Sequence, residues 1–89
     1  MTQIMKLSAE DGHTLDAAVA GDPSRAHGGV VVLQEIFGLN AHVRSLPERF
    51  AEAGYYAVAP ALFDRAERGI ELGYDADGRE RGIALKNAV

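Results

Sequence analysis

Hydrophobic and polar positions alternate near the start of the chain and later give way to unbroken apolar runs. Residues 3 to 8 and the alternating run from His13 to Ala20 flank the dipeptide Asp11-Gly12. This dipeptide suits a two-residue type I′ turn, in which both central positions need a positive φ. The pattern predicts a β-hairpin, followed by a loop because breaker residues crowd positions 21 to 29.

One apolar run, from Val30 to Leu33, shows no alternation. A β-branched run of this kind is typical of a strand covered on both faces of a parallel sheet, so we predict a central strand over residues 29 to 34. A second buried strand is predicted over residues 55 to 59, before Pro60. With a helix between them, the two strands form a βαβ unit with a right-handed crossover, which indicates the α/β class.

The helix between these strands has two alternative starting points. Ser45 and Glu48 have the spacing of a capping box, which would place Pro47 in the first turn, where its missing N–H is harmless. Asn40 could instead cap an earlier turn and give a helix kinked at Pro47. The helix should end before Gly54, which suits the left-handed position after a helix.

Periodicity also predicts which helix faces turn inward. The first helix should pack through one apolar stripe, formed by Leu46, Phe50 and Ala53. Residues 62 to 78 are expected to form a loop, because charges are mixed there with glycines. Residues 79 to 89 predict a second helix, with Ile83 and Ala84 inward and Lys86 outward.

Composition narrows the classes of function. The 89 residues carry a formal net charge of −4 with a pI near 5.2, which argues against nucleic acid as a partner. Without cysteine, the chain contains no disulfide, thiolate metal site or cysteine nucleophile, and we expect no metal and no cofactor. Residues 1 to 7 lack the apolar run of a signal peptide, and residues 30 to 33 are too few to span a bilayer. We therefore expect a cytoplasmic protein without a membrane partner.

The segment from Gln34 to Gly38 is the place to look for chemistry, because open α/β sheets bind ligands beyond the carboxyl ends of their strands. Glu35 should be partly desolvated there, which raises a carboxyl pKa unless a partner holds the charge. The alternatives are a solvated loop acid or an ion pair with a nearby arginine. The backbone amide of Ile36 is the one best placed to face a developing oxyanion.

These residues carry a family resemblance. Residues 30 to 65, VVVLQEIFGLNAHVRSLPERFAEAGYYAVAPALFDR, resemble the opening βαβ unit of the dienelactone hydrolase family, within the α/β-hydrolase superfamily. The resemblance rests on QEIFG and LN, followed by AGY and AP, and extends upstream through the hairpin. It implies that residues 1 to 89 form a single partial domain: the N-terminal segment of an α/β-hydrolase sheet, with a β-hairpin followed by a right-handed βαβ unit.

The resemblance also implies an activity and its residues. The family hydrolyses esters and lactones through a nucleophilic cysteine, with dienelactone to maleylacetate as its reference reaction. Glu35 would interact with that cysteine and help control its ionisation, and the Ile36 amide would contribute to the oxyanion hole. Arg81 would help to hold a substrate carboxylate. Ala61 departs from the pattern, since the family usually has aspartate after the proline.

In the family, the nucleophile elbow follows the next strand, and its acid and base come later, so none falls within this chain. Neither Gly-x-Ser-x-Gly nor Gly-x-Cys-x-Gly occurs. Strand, loop and cap roles are expected for the serines at positions 8, 24 and 45, and surface roles for the histidines at positions 13, 27 and 42. We therefore expect the isolated chain to be inactive. The alternative is a non-catalytic fragment that acts as an interaction or structural module; a nucleotide-binding domain is disfavoured because Gly28-Gly29 precedes the strand.

The resemblance also implies a strand order. Residues 55 to 59 would lie between the hairpin and residues 30 to 33, which leaves the latter strand at an open edge. A strand suited to the middle of a sheet would then expose unpaired backbone groups beside apolar side chains. The partners expected are a small-molecule ester or lactone and, at this edge, the remainder of the fold or a second copy of the chain.

Overall fold

The structure is a computed structural model that describes residues 2–89, in which two helices accompany one mixed sheet. The elements in chain order are β1 (Gln3–Ser8), β2 (Thr14–Ala20), β3 (Gly29–Val31), α1 (Ala41–Glu52), β4 (Tyr56–Pro60), a 3-10 turn (Leu62–Arg65) and α2 (Ala76–Ala88). The strand order is β1-β2-β4-β3, with β3 parallel to β4 and the other pairs antiparallel. The 3-10 turn and the earlier start of α2 correct the expected loop over residues 62 to 78.

The predicted strand order is confirmed, because β4 lies between the hairpin and β3. Pairing of β3 continues one residue past the strand, since the Val32 N–H donates to the Val58 carbonyl at 2.8 Å. Val32 is 8% exposed, whereas Val31 and Leu33 are 67% and 70% exposed. Within residues 2–89, only one face of β3 is therefore covered, and the expectation of cover on both faces is wrong for this part of the chain.

The hairpin is confirmed, but its predicted two-residue turn is wrong. The Ala9 N–H donates to the His13 carbonyl at 2.8 Å, and only Gly12 in this loop has a positive φ, of +87°. A longer loop with one left-handed glycine avoids the cost of a positive φ at Asp11. The Asp11 carboxylate instead accepts hydrogen bonds from the Arg65 guanidinium at 2.8 Å and from the His13 N–H at 3.0 Å, which lower its pKa from 3.8 to about 2.

Helix α1 begins at the earlier of its two predicted starts. The Asn40 side chain accepts a hydrogen bond from the Val43 N–H at 3.0 Å, and its amide also donates to the Tyr74 hydroxyl at 3.0 Å. The capping box at Ser45 is wrong, since that hydroxyl donates to the His42 carbonyl. The helix begins after Asn40 because the Asn40 side chain is also held by its hydrogen bond to Tyr74. The local spacing of residues does not reveal this tertiary contact.

The end of α1 matches the prediction, but its buried face does not. Gly54 has φ +96°, and its N–H donates to the Ala51 carbonyl at 3.0 Å. The Tyr55 N–H donates to the Phe50 carbonyl at 3.0 Å, which completes a Schellman motif. Of the predicted apolar stripe, Leu46 is half-buried, but Phe50 is 38% exposed and Ala53 is exposed. The predicted stripe is therefore wrong for its last two residues.

The core lies between α1 and the sheet. Val43 and Pro47 are the buried residues of α1, and Leu46 packs beside them at the i+3 position. They meet apolar side chains from β2, β4 and the chain around β3, namely Ala18, Ala59, Val30 and Val32, together with Leu39 and Ala61. Starting the helix at Ala41 adds a turn that places Val43 at the head of the buried face, and Phe50, seven residues later on that face, is 38% exposed near the end of the helix.

Helix α2 presents a different face from the one predicted. Its buried residues are Gly78 and Gly82, whereas Ile83 is 40% exposed and Ala84 is also exposed. Lys86 is exposed, as predicted. Glycines turn inward because α2 approaches the main chain of residues 36 and 73 too closely for larger side chains. No helix within residues 2–89 combines the length and apolarity that crossing a bilayer requires.

Candidate active site

The five residues from Gln34 to Gly38, here called the 34–38 turn, follow β3 at the carboxyl end of the parallel pair. The turn closes through the Gly38 N–H, which donates to the Glu35 carbonyl at 3.2 Å. The Gln34 side chain accepts from the Leu62 N–H at 2.9 Å and donates to the Glu35 carbonyl at 3.3 Å. Gln34 therefore ties the end of one parallel strand to the segment that follows the other.

Residues 70 to 74 hold the 34–38 turn from one side. The Leu72 N–H donates to the Phe37 carbonyl at 2.9 Å. The rings of Phe37 and Tyr74 meet edge to face with centroids 4.5 Å apart, a favoured aromatic geometry. Gly38 has φ +81°, and a Cβ there would lie 2.4 Å from the Ile70 carbonyl oxygen. These contacts hold the turn in place, and the Glu35 side chain takes part in none of them.

Helix α2 supports the 34–38 turn from the other side. A Cβ at Gly82 would lie 1.8 Å from the carbonyl oxygen of Ile36 and 2.8 Å from its carbonyl carbon. A Cβ at Gly78, one turn earlier, would lie 2.0 Å from the Gly73 carbonyl oxygen. Residues spaced by four share a helix face, so Lys86 follows Gly82 on the face that meets the turn.

A cavity of about 250 Å³ opens between the 34–38 turn, the 3-10 turn and the end of α2. Glu35 and Ile36 both line it, with Gln34, Leu62, Phe63, Lys86 and Val89. No hydrogen bond to the Ile36 N–H is formed within residues 2–89. Ile36 is half-buried and its N–H donor is unused, so this donor is available to a bound oxygen atom.

The Glu35 carboxylate does not have the desolvated surroundings expected of it. Glu35 is exposed, and no ion pair joins it to another residue in the described part of the chain. The structure therefore shows the solvated loop acid that was the first alternative, and the arginine pair is wrong here. The physical reason is the position of β3, which pairs only with β4 and leaves one side of the following residues uncovered.

The two basic residues of α2 nearest the candidate site differ in their surroundings. The Arg81 guanidinium pairs with the Glu67 carboxylate at 2.5 Å, with each side chain about half exposed. Arg81 is not among the described residues that line the cavity, whereas Lys86 is. Sequence reasoning missed Lys86 because it was read only as outward-facing. Its spacing of four from Gly82 was the available signal.

A buried acid near the site was also missed. Ala61, which replaces the usual aspartate, lies in the core at 8% exposure. Asp64, three residues later, is 5% exposed and accepts from the Asp16 N–H at 2.8 Å and the Gly69 N–H at 3.3 Å. The buried carboxylate of this region therefore satisfies two backbone amides, a structural role for which its sequence context gave no signal.

The other candidate chemistry is absent from the cavity. None of the serine or histidine residues in the described chain lines it. The Ser24 hydroxyl donates to the Asp22 carboxylate at 2.6 Å, and the His27 ring lies against Gly54. Within residues 2–89, no group of three or more His, Cys, Asp or Glu side chains is arranged to hold a metal ion.

The support of the 34–38 turn by Ile70 is testable by comparing Gly38→Ala with Gly69→Ala. Both glycines have positive φ, +81° and +72°, but only Gly38 has a neighbour within 4 Å of an added Cβ. We expect Gly69→Ala to cost about 1–2 kcal/mol of backbone strain, and Gly38→Ala to cost roughly 1–3 kcal/mol more. Urea unfolding of the two variants measures the difference, and equal losses would contradict it.

This chain is similar in sequence to known proteins. Residues 15–87 match the sequence profile of the Dienelactone hydrolase family. The chain is 39% identical over 87 residues to a carboxymethylenebutenolidase of Pseudomonas putida, covering 97% of this chain and 36% of that protein. A Synechocystis sp. protein assigned as a carboxymethylenebutenolidase is 50% identical over 58 residues, which are 65% of this chain and 24% of that protein.

A solved structure agrees with the sequence matches. A Klebsiella pneumoniae protein assigned as a dienelactone hydrolase superimposes with a TM-score of 0.65 at 35% identity, over 76% of this chain and 29% of that one. The chain thus spans between 24% and 36% of the length of these relatives. Its sheet is the N-terminal part of an α/β-hydrolase sheet. The chain belongs to the dienelactone hydrolase family.

Proposed function

We propose that the protein containing this chain hydrolyses a carboxylic ester or lactone, as a carboxymethylenebutenolidase-like enzyme. Family membership supports the reaction class. The observation that carries the proposal is the unused donor of Ile36, whose N–H has no hydrogen-bond acceptor within residues 2–89, in a residue that lines the cavity with Glu35. An unused backbone donor at the carboxyl end of a parallel strand is what an oxyanion hole requires.

In this proposal the chain contributes electrostatics rather than the nucleophile. A thiolate from a later segment attacks the carbonyl carbon, and the Ile36 N–H donates to the oxygen as it gains negative charge. The tetrahedral intermediate expels the alkoxide, which takes up a proton, and water then hydrolyses the acyl-enzyme to the acid. Glu35 interacts with the attacking thiol and helps to control its ionisation, as the family resemblance implies.

A non-catalytic fragment that serves as an interaction module is the alternative, and the exposed edge of β3 favours it. The coding sequence downstream of Val89 distinguishes the two. A further strand followed by Gly-x-Cys-x-Gly supports the hydrolase. A stop codon in its place supports the interaction module.

The hydrolase proposal is tested by Glu35→Gln in the complete polypeptide, with p-nitrophenyl acetate and an enol lactone as substrates. We expect kcat/KM to fall about 100-fold, because a group that manages proton transfer at the nucleophile typically contributes 10²–10⁴-fold. Glu52→Gln, an exposed acid on α1, is the matched control and should leave the rate unchanged.

The 89-residue chain completes this test. It contains no cysteine, so we expect only background hydrolysis. Hydrolysis by the isolated chain that survives Glu35→Ala would mean that the proposed chemistry is wrong.

We further propose that Lys86 neutralises an anionic group of the substrate, since it is the cation that lines the cavity. Lys86→Met should raise KM for a carboxylate-bearing lactone about tenfold, the loss expected for one charge-assisted hydrogen bond, and leave a neutral ester unaffected. Arg81→Gln tests the residue that the family resemblance favours, and Arg79→Gln is the control on the same helix. A KM that responds to Arg81 and not to Lys86 would restore the sequence-based assignment.

We also propose that the edge of β3 pairs with the remainder of the fold or, in the isolated chain, with a second copy. Its exposed apolar side chains, Val31 and Leu33, support association. Light scattering of the 89-residue chain should reveal oligomers, which Val31→Lys should disperse. Ile4→Lys, at a residue 58% exposed on the opposite edge strand, should not. A wild-type monomer with protected β3 amides would contradict the proposal.

A further inference from the structure

The contact between Gly82 and Ile36 joins α2 directly to the residue with the unused amide. All three of the atoms that a Cβ at Gly82 would approach most closely belong to Ile36: its carbonyl oxygen at 1.8 Å, its carbonyl carbon at 2.8 Å and its Cβ at 3.1 Å. Real Cβ contacts this short do not occur, so any larger residue at this position must displace Ile36 or α2.

The approach restricts the peptide groups around Ile36. Gly82 limits where the Ile36 carbonyl can lie, and the Leu72 N–H holds the next carbonyl, that of Phe37, at 2.9 Å. The Gly38 N–H holds the preceding one, that of Glu35, at 3.2 Å. The Ile36 N–H shares a peptide plane with the Glu35 carbonyl, so holding that carbonyl on one side of Ile36 and restricting the Ile36 carbonyl on the other leaves the N–H little freedom to rotate.

We infer that Gly82 is a positioning residue, which fixes the main chain of Ile36, and with it the Ile36 N–H, through its close approach to the Ile36 carbonyl. This inference rests on the proposed hydrolase function. Alanine is otherwise preferred to glycine inside a helix, so helix stability does not account for a buried glycine here. Preorganised donors act through their direction, and a displacement of about 1 Å can cost about 100-fold in rate.

The test is Gly82→Ala in the complete polypeptide, with Gly78→Ala as the matched control. Both glycines lie on the same face of α2, and an added Cβ would meet a carbonyl oxygen at 1.8 Å and 2.0 Å, but Gly78 meets Gly73 instead of Ile36. Both variants therefore disturb the packing of α2, and only one disturbs the oxyanion donor directly. Circular dichroism and urea unfolding confirm that each variant is folded.

Two readouts separate positioning from general damage. We expect Gly82→Ala to lower kcat on p-nitrophenyl acetate by about 10- to 100-fold with KM nearly unchanged, because an oxyanion donor acts in the transition state. The ¹⁵N–¹H resonance of Ile36 should shift in Gly82→Ala and stay in place in Gly78→Ala. Gly82→Ser, with a similarly placed Cβ, should repeat the loss.

The outcomes are distinguishable. A wild-type polypeptide that hydrolyses neither ester nor lactone overturns the proposed function and, with it, this inference. An active wild type whose Gly82→Ala variant keeps its kcat and its Ile36 resonance overturns this inference alone. Equal kcat losses in the Gly78 and Gly82 variants also overturn it, because they would indicate that only the docking of α2 matters. If Gly82→Ala does not fold, Leu72→Pro, which removes the N–H on the Phe37 carbonyl of the same turn, must then lower kcat in the same selective way.

Discussion

Close contact between main-chain segments is the constraint on which the candidate site depends. The 34–38 turn is held by the Leu72 N–H, by the backbone at Ile70 and by Gly82, and in each contact the partner on the turn is backbone. Support of this kind places no demand on the side chains of Glu35 and Ile36, which remain available to a ligand. Because main-chain packing is also stiff, the Ile36 amide can be preorganised without a side chain to hold it.

Helix α2 has an unusual composition for this reason. A helix that packs through large apolar side chains lies farther from its neighbour than one that packs through glycine, so Gly78 and Gly82 bring α2 close to residues 36 and 73. The same face continues to Lys86, which reaches the cavity beside Glu35. One face of α2 therefore provides both the close packing and the positive charge of Lys86.

The sequence predicted features that depend on local chemistry, and it failed where distant contacts decide. The strand order, the Schellman end at Gly54 and the placement of Glu35 with Ile36 follow from breakers, apolar runs and the family resemblance. The start of α1 was ambiguous because Asn40 is held by Tyr74, 34 residues away. The inner face of α2 was predicted wrongly because hydrophobic periodicity cannot recognise a helix that packs through glycine.

The exposure of Glu35 and the open edge of β3 have the same cause. Val31 and Leu33 have the side chains of a covered strand, yet they are exposed, and Glu35 follows them without a charged partner in residues 2–89. A strand added parallel to β3 would end beside Glu35, because parallel strands bring their carboxyl ends to one edge of a sheet. Pairing at this edge would satisfy the free backbone groups of β3 and desolvate the carboxylate, whereas Val31 and Leu33 need an element packed on the face that they occupy. The exposure of Glu35 is therefore coupled to whether this edge is paired, whereas the main chain of Ile36 is already in close contact with α2.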